Sequence, residues 1–492
     1  LAVILFTGLA LRLAYVTRPF DHRIRTTWRQ SDYIQIARNF DREGMNILYP
    51  RIDWRRNTPG YVEAEFPLVP WLGAALYRTC GYHEWYLRAV SCLFAVAALL
   101  LFAWLASRLL PPAGALFAVA AYAVNPLLIY LSTAIQPEPL MMFLSLAAFV
   151  LILRWEQQPD FTNLLAASLA VSASILAKTP AAPLGLLLAW VVLKKKGFQA
   201  FSDWRVYAAG LIGILPPLLW YRWAKHFWTV YGNSLGISNE THFLGLDVLL
   251  PPWFLLGNLK WETLAVFSPA GWFLLLAALF FAHGRLNYAG LWYALVWVCY
   301  MVAARTSGDD WAYYYHCSSV APACLLMGSG VGALLAPHRP LPLWLQAWRR
   351  PAAALLSGAA LLGLMGVMGL LIRLRDTNTD LLAMRQCAQE FAAVVPADGK
   401  IVVKGGRMFD ELGHPVAWNE PMVFAWMDRK GFNYGLEELS LETIERIAKE
   451  GGRYWMVLRS DLEKAGIEAE AERRFRRVAD CDGYTLYDLS GQ

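Results

Sequence analysis

A chain of 492 residues that is 57% hydrophobic, only 17% charged and carries 22 tryptophans is too apolar for a soluble protein, which holds about a quarter charged residues. The net charge of +6 matters less than where the charges fall relative to a bilayer, and no nucleic-acid partner is expected. The apolar residues gather into runs close to the roughly 20 needed to cross the hydrocarbon layer, so the chain reads as a polytopic membrane protein.

The first run covers residues 1–17. It sits too deep in the pattern to be a cleaved signal peptide, and a chain opening on Leu1 is expected to lack some N-terminal residues. Next comes TTWRQSDYIQIARNF, which cannot span. At helical spacing Tyr33, Ile36, Ala37 and Phe40 form one apolar face, with Arg29, Asp32, Gln35 and Asn39 turned away from it. The same hydrophilic segment, Thr17–Glu84, holds Asp53 in the turn-rich YPRIDWRRNTPGY. Glu63 and Glu65 stand in VEAEFPLVPWL, ahead of an apolar run too short to span, which reads as an interfacial or re-entrant helix. Arg23, Arg25, Arg29, Arg38, Arg51, Arg55 and Arg56 place phosphate-capable guanidinium groups beside these carboxylates.

Further spans follow at 85–107, 113–131, 138–155, 162–178, 181–194, 205–223, 262–282, 286–304, 315–336 and 351–373, making about eleven with the first. Glu138 lies between two prolines where one span opens, in STAIQPEPLMMF. A carboxylate at that depth costs desolvation energy, although the helix macrodipole also favours an acid there. Lys178 closes the next span in ILAKTPAAPLG, as a snorkelling lysine or as a binding cation. A second long hydrophilic segment is Ala224–Trp261. The short Arg305–Tyr314 connection leads into RTSGDDWAYYYHCSS, where Arg305, Asp309, Asp310, Tyr314 and His316 cluster at the lip of a span, as a binding site or an aromatic belt. Beyond residue 376, GKIVVKGG, RYWMVLRS and YTLYDLS read as strands and ETIERIAKEGG as a glycine-ended helix, together a small α/β domain over 376–492.

Short loops carrying LKKK and WRR, with few acids, put the N-terminus on the cytoplasmic side. All the long hydrophilic segments, and the C-terminal domain, then fall on the opposite face. Of seven cysteines none forms a metal-binding pattern. Cys387 and Cys481 share the C-terminal segment and can pair if it is extracytoplasmic.

The pattern resembles the GT-C membrane glycosyltransferases, and within them the protein O-mannosyltransferase-like and aminoarabinose transferase-like enzymes, along the whole chain. RQSDYIQIARNF is similar to a family helix with Tyr33, Ala37 and Arg38 in register. The family's acidic pair falls on Arg29 and Gln30 here, leaving Asp32, one turn along, to substitute. EAEFPL nominates Glu65 as an acid, with Glu63 second. Glu138 in QPEPL matches an acid opening a span, and Lys178 in AKTP a phosphate-side lysine.

The resemblance implies a GT-C bundle of mainly α fold, with interfacial helices in the first outer loop (17–84), a transmembrane catalytic region over 1–375 and an outer α/β domain. It implies inverting transfer of a sugar from a polyprenyl-phosphate donor to a glycan, lipid or protein acceptor, without a metal or another cofactor. Asp32, Glu65 and Glu138 are the catalytic candidates. Arg29, Arg38, Lys178, Arg305 and His316 are candidates for the donor phosphate, and Glu63, Asp53, Tyr33 and Tyr314 for the acceptor or sugar. A polymerase or ligase of lipid-linked oligosaccharides shares these inputs, and a non-catalytic partner in envelope glycan assembly is the third alternative. A transporter would need charges at mid-membrane and repeated halves, and neither is evident.

Overall fold

Every one of these apolar runs falls on a helix in the computed structural model, which describes residues 1–14, 16–17, 27–237, 252–281, 284–304, 306–336, 348–375, 379–409, 413 and 416–490. Among the described residues six helices are long and apolar enough to cross a membrane, and a seventh span results if the bent pair Pro112–Ala123 and Pro126–Ser132 counts as one. The remaining runs form shorter helices, such as Ala2–Leu13 and Phe161–Ala177, or the Trp204–Tyr231 helix with Pro216 and Pro217 inside it. Contacts divide the chain into two compact units. The first comprises Leu1–Arg18, Arg88–Trp220 and His242–Arg373; the second comprises Pro19–Leu87, Tyr221–Thr241 and Leu374–Gln492.

In the first unit the helix Cys317–Leu335 is buried along most of its length, among Pro112–Ala123, Ser268–Phe281 and Leu286–Ala303. Its GSGVG stretch explains how. A Cβ on Gly328 would stand 2.6 Å from the Gly114 carbonyl oxygen, and one on Gly330 only 2.0 Å from that of Leu274. Bare backbone therefore allows close approach from two sides, as between helices in lipid, where packing rather than hydrophobic exclusion drives association. The opposite case is Arg349–Arg375, whose Leu355 and Leu362 are 73% and 70% exposed, as suits a lipid-facing helix. The break between Pro112–Ala123 and Pro126–Ser132 is also satisfied. Buried Arg12 donates to the carbonyls of Tyr122 and Ala123, while Asn125 caps the amides of Leu127 and Leu128.

The second unit is built on a five-stranded sheet of order β2-β1-β3-β5-β4, with β1 Ile401–Lys404, β2 Gly431–Tyr434, β3 Tyr454–Leu458, β4 Arg476–Cys481 and β5 Tyr484–Asp488. β1 pairs in parallel with β2 and β3; β5 runs antiparallel to β3 and β4. Alternate side chains serve the two faces, as strand geometry requires. Val402, Trp455 and Tyr487 pack against Ile444, Ile447 and Leu462. Ile401, Val403 and Met456 pack on the other face with Ile36, Phe40, Ile52 and Val62. Residues between Ile36 and Ala74 thus share one core with the C-terminal segment. A disulfide joins Cys387, on the helix Thr379–Ala392, to Cys481 at the end of β4, with Cα atoms 5.3 Å apart.

Candidate functional site

The helix Thr27–Glu43 in the second unit buries both of its faces. Its polar side, expected to lie away from the packed surface, is enclosed: Asp32, Gln35 and Asn39 are as inaccessible as Tyr33 and Ile36. The reason is a set of specific partners for each polar group. The Trp54 indole donates to Asp32 Oδ1 at 3.0 Å, Gln35 Nε2 donates to the Pro421 carbonyl, and Asn39 donates to Asp53. Tyr33, on the neighbouring side, donates its hydroxyl to Glu65 Oε2 at 2.8 Å. Glu65 is held at the end of a folded loop in which Arg51 pairs with Tyr61 and Glu63 with Ser234 as isolated bridges.

This enclosure sets the electrostatics. Burial pushes the Asp32 carboxyl up to about 7; Arg29 and the Trp54 hydrogen bond pull it down, and the Glu65 charge pushes it further up. Asp32 Oδ2 accepts no hydrogen bond among the described residues. A buried carboxyl poised near neutrality with one unused oxygen has what a general base needs. Asp53 is likewise raised by burial, to about 6, against the pull of Asn39, Arg55 and Arg38.

The first unit supplies a second constellation. Glu138 is the first residue of the helix Glu138–Gln157, with Pro139 in its first turn, where the missing amide hydrogen is no loss. Lys178 follows the last residue of Phe161–Ala177. The two helices pack against each other, so an acid at one helix start meets a cation at the other helix end. Each lies where the macrodipole favours its charge. Buried Lys178 donates to Glu138 Oε1, and its Nζ lies 5.2 Å and 5.3 Å from the ring centroids of Tyr314 and Tyr315. The result is an ammonium held between a carboxylate and two aromatic faces.

Beside those tyrosines, His316 is fully buried, not open at a lip as its setting in YYYH suggests. Its Nε2 faces the Ser307 carbonyl oxygen at 3.0 Å, which only accepts, so that nitrogen carries a proton. Its Nδ1 lies 2.7 Å from Glu262 Oε1. Glu262 opens a π-helical turn, Glu262–Phe267, and also accepts from Ser319 and Tyr293. Whichever partner holds the shared proton, the His316–Glu262 pair is neutral in total, which suits its burial. His316 thereby fastens the Tyr313–His316 turn, which carries Tyr314.

The other candidates are engaged in place. Arg29 donates to the Leu235 carbonyl and stacks over Trp28. Arg38 donates to the Ala425 carbonyl and to the Tyr82 hydroxyl, and reaches Asp428 at 3.4 Å, contacts that build the unit rather than present a cation. Glu63 accepts from the Ser234 hydroxyl. Arg23, Arg25 and Arg305 lie outside the described residues. Among the described residues no three His, Cys, Asp or Glu side chains converge as metal ligands. One acid escaped sequence reasoning: Glu262, which carried a usable signal, opening an apolar run just as Glu138 does.

Residues 63–220 match the family model described as dolichyl-phosphate-mannose-protein mannosyltransferase. Among the curated proteins, none matches the chain. Among solved structures, ArnT from Cupriavidus metallidurans bound to undecaprenyl phosphate is similar at 13% identity with a TM-score of 0.64, over 100% of this chain and 98% of that one. Its apo state gives 14% and 0.62, over 99% and 97%. The archaeal oligosaccharyltransferase AglB from Archaeoglobus fulgidus is similar at 12% identity with a TM-score of 0.56, over 100% of this chain and 74% of that one.

Proposed function

We propose that this chain is a GT-C membrane glycosyltransferase that moves a single sugar, with inversion, from a polyprenyl-phosphate carrier to a glycan, lipid or protein acceptor on the extracytoplasmic face of the membrane. The observation that carries the reading is Asp32, a buried carboxyl poised near neutrality with one oxygen unused. In the reaction Asp32 takes the proton of an acceptor hydroxyl. The hydroxyl oxygen forms a bond to the anomeric carbon as the bond from that carbon to the phosphate oxygen breaks, and the carrier leaves as its phosphate monoester. Lys178, held by Glu138 and flanked by Tyr314 and Tyr315, is assigned to binding a phosphate of the carrier. Glu65, oriented by Tyr33, is assigned to the acceptor.

The ArnT structure holding undecaprenyl phosphate supports the carrier class. Loop charge supports a cytoplasmic N-terminus, and the Cys387–Cys481 disulfide supports an oxidising compartment for the second unit, together favouring a bacterial inner membrane with that unit on its periplasmic side.

Native mass spectrometry of the protein with a panel of polyprenyl-phosphate sugars tests this reading. The expected adduct is carrier plus one sugar. Asp32→Asn should retain it while transfer drops at least about 100-fold, whereas Glu65→Gln should lose less. Lys178→Ala should weaken the adduct about tenfold or more. Retention of a long lipid-linked glycan instead would point to a polymerase or ligase. Full transfer by both carboxyl variants would remove the assignment of the base.

A further inference from the structure

Glu262 is a fully buried carboxyl of the first unit that the proposed reaction does not use. It opens the π-helical turn Glu262–Phe267, a wider winding that is frequent at functional sites. Its two oxygens tie three elements together. Oε1 faces His316 Nδ1 at 2.7 Å and accepts from the Ser319 hydroxyl, while Oε2 accepts from the Tyr293 hydroxyl at 3.0 Å. Tyr293 in turn accepts from the Trp297 indole at 2.7 Å. Tyr300, on the same helix Leu286–Ala303, donates to the Tyr315 carbonyl at 3.2 Å and sets its ring 4.9 Å from that of His316. The turn Tyr313–His316 is therefore fastened through both a side chain and its backbone. The same turn carries Tyr314 and Tyr315, whose rings lie 4.7 Å apart and flank the Lys178 ammonium at 5.2 Å and 5.3 Å. A buried acid–histidine pair adds little stability over apolar groups of like volume, so stability alone does not account for Glu262.

We propose that Glu262 is the positioning residue of the donor-phosphate lysine: through His316 it fixes the Tyr313–His316 turn, and through Tyr314 and Tyr315 it sets where Lys178 presents its ammonium. This rests on the assignment of Lys178 to a phosphate of the carrier. Glu138 draws the ammonium toward one helix start, and the two aromatic faces bound it from the turn. A turn released by the loss of Glu262 withdraws those faces, and the ammonium shifts with them. The role is one of geometry rather than of charge. His316 Nε2 donates to the Ser307 carbonyl, so a neutral His316 accepts at Nδ1. A glutamine at position 262 would donate its amide nitrogen to that atom and keep its oxygen for Tyr293. An alanine would withdraw both contacts and leave buried polar groups short of a partner.

The test compares Glu262→Ala, Glu262→Gln, Lys178→Ala and the double variant of Glu262→Ala with Lys178→Ala, each as the full-length protein in lipid nanodiscs. One readout is the rate at which an amine-acylating reagent labels Lys178 without donor, followed by mass spectrometry with Lys404 as the internal control. The other is affinity for a polyprenyl-phosphate sugar. Glu262→Ala should speed labelling of Lys178 about tenfold, leave Lys404 unchanged and weaken donor binding about threefold to tenfold. Glu262→Gln, the conservative rescue, should restore both. Added to Lys178→Ala, Glu262→Ala should cost the donor nothing further, since residues acting through one another are not additive. Glu262→Asp keeps the charge but draws it back by one methylene; it should show the same changes in smaller measure and serves if Glu262→Ala does not fold. Native labelling of Lys178 in Glu262→Ala and Glu262→Asp, or donor losses that add to those of Lys178→Ala, would overturn the proposal, as would a Glu262→Gln protein as impaired as Glu262→Ala. Faster labelling with donor binding unchanged in every variant, Lys178→Ala included, would leave Glu262 as the residue that positions Lys178 and sink only the phosphate assignment.

Discussion

The burial of the Asp32 carboxyl comes at a cost to the fold, and the sign of that cost is fixed. Its carboxyl, at about 7 in the folded chain, lies above the usual value of about 3.9 in an unfolded one. Such a group favours folding while protonated in both states, and that contribution is lost as pH rises from about 4 through about 7. Asp32→Asn should therefore raise the melting temperature at pH 8 more than at pH 4, with a ceiling of about 4 kcal/mol for a fully buried group. Equal melting shifts at both pH values would show that the carboxyl is not raised. At this scale the sequence was readable where an acid or base interrupts an apolar run, as at Glu138 and Lys178. It was not readable where the partner is distant in the chain: nothing near Asp32 announces Trp54, and nothing near His316 announces Glu262.

Among the elements, the helix Cys317–Leu335 depends on its glycines for contact with two neighbours. Gly330→Ala would drive a Cβ against the Leu274 backbone, which cannot swing aside as a side chain can. It should cost about 1 to 3 kcal/mol or more, read as a lower melting temperature in detergent. Gly366→Ala, whose Cβ would meet nothing within 4 Å, should be neutral and serves as the control. The helices were legible because an apolar run near bilayer length has few alternatives, and β1, β3 and β5 because VV, WMVL and TLY are bounded by turns or charges. The strand order was not legible, since it follows from which helices cover each face. Nor was the burial of the polar face of Thr27–Glu43, whose spacing alone looked like that of a helix at an interface.

For the molecule as a whole, the disulfide is a gauge of compartment as well as of stability. It closes a loop between positions 94 residues apart, which in chain-entropy terms is worth about 2 to 5 kcal/mol. Cys387→Ser should lower the melting temperature of the oxidised protein, and the difference should vanish under reductant. Alkylation of whole cells followed by mass spectrometry should find Cys387 and Cys481 protected as a pair. Free thiols at both positions would place the second unit on the reducing side of the membrane and reverse the orientation read from the loops.

The second unit is assembled from three stretches of chain, two of them early or central and the third terminal. Ile36 and Phe40 cannot find Ile401 and Val403 until more than four hundred residues have been synthesised. The first stretch must wait, with its apolar face and its buried acids unsheltered, while the intervening helices are inserted. A chain halted before the sheet leaves that stretch without the residues that bury it.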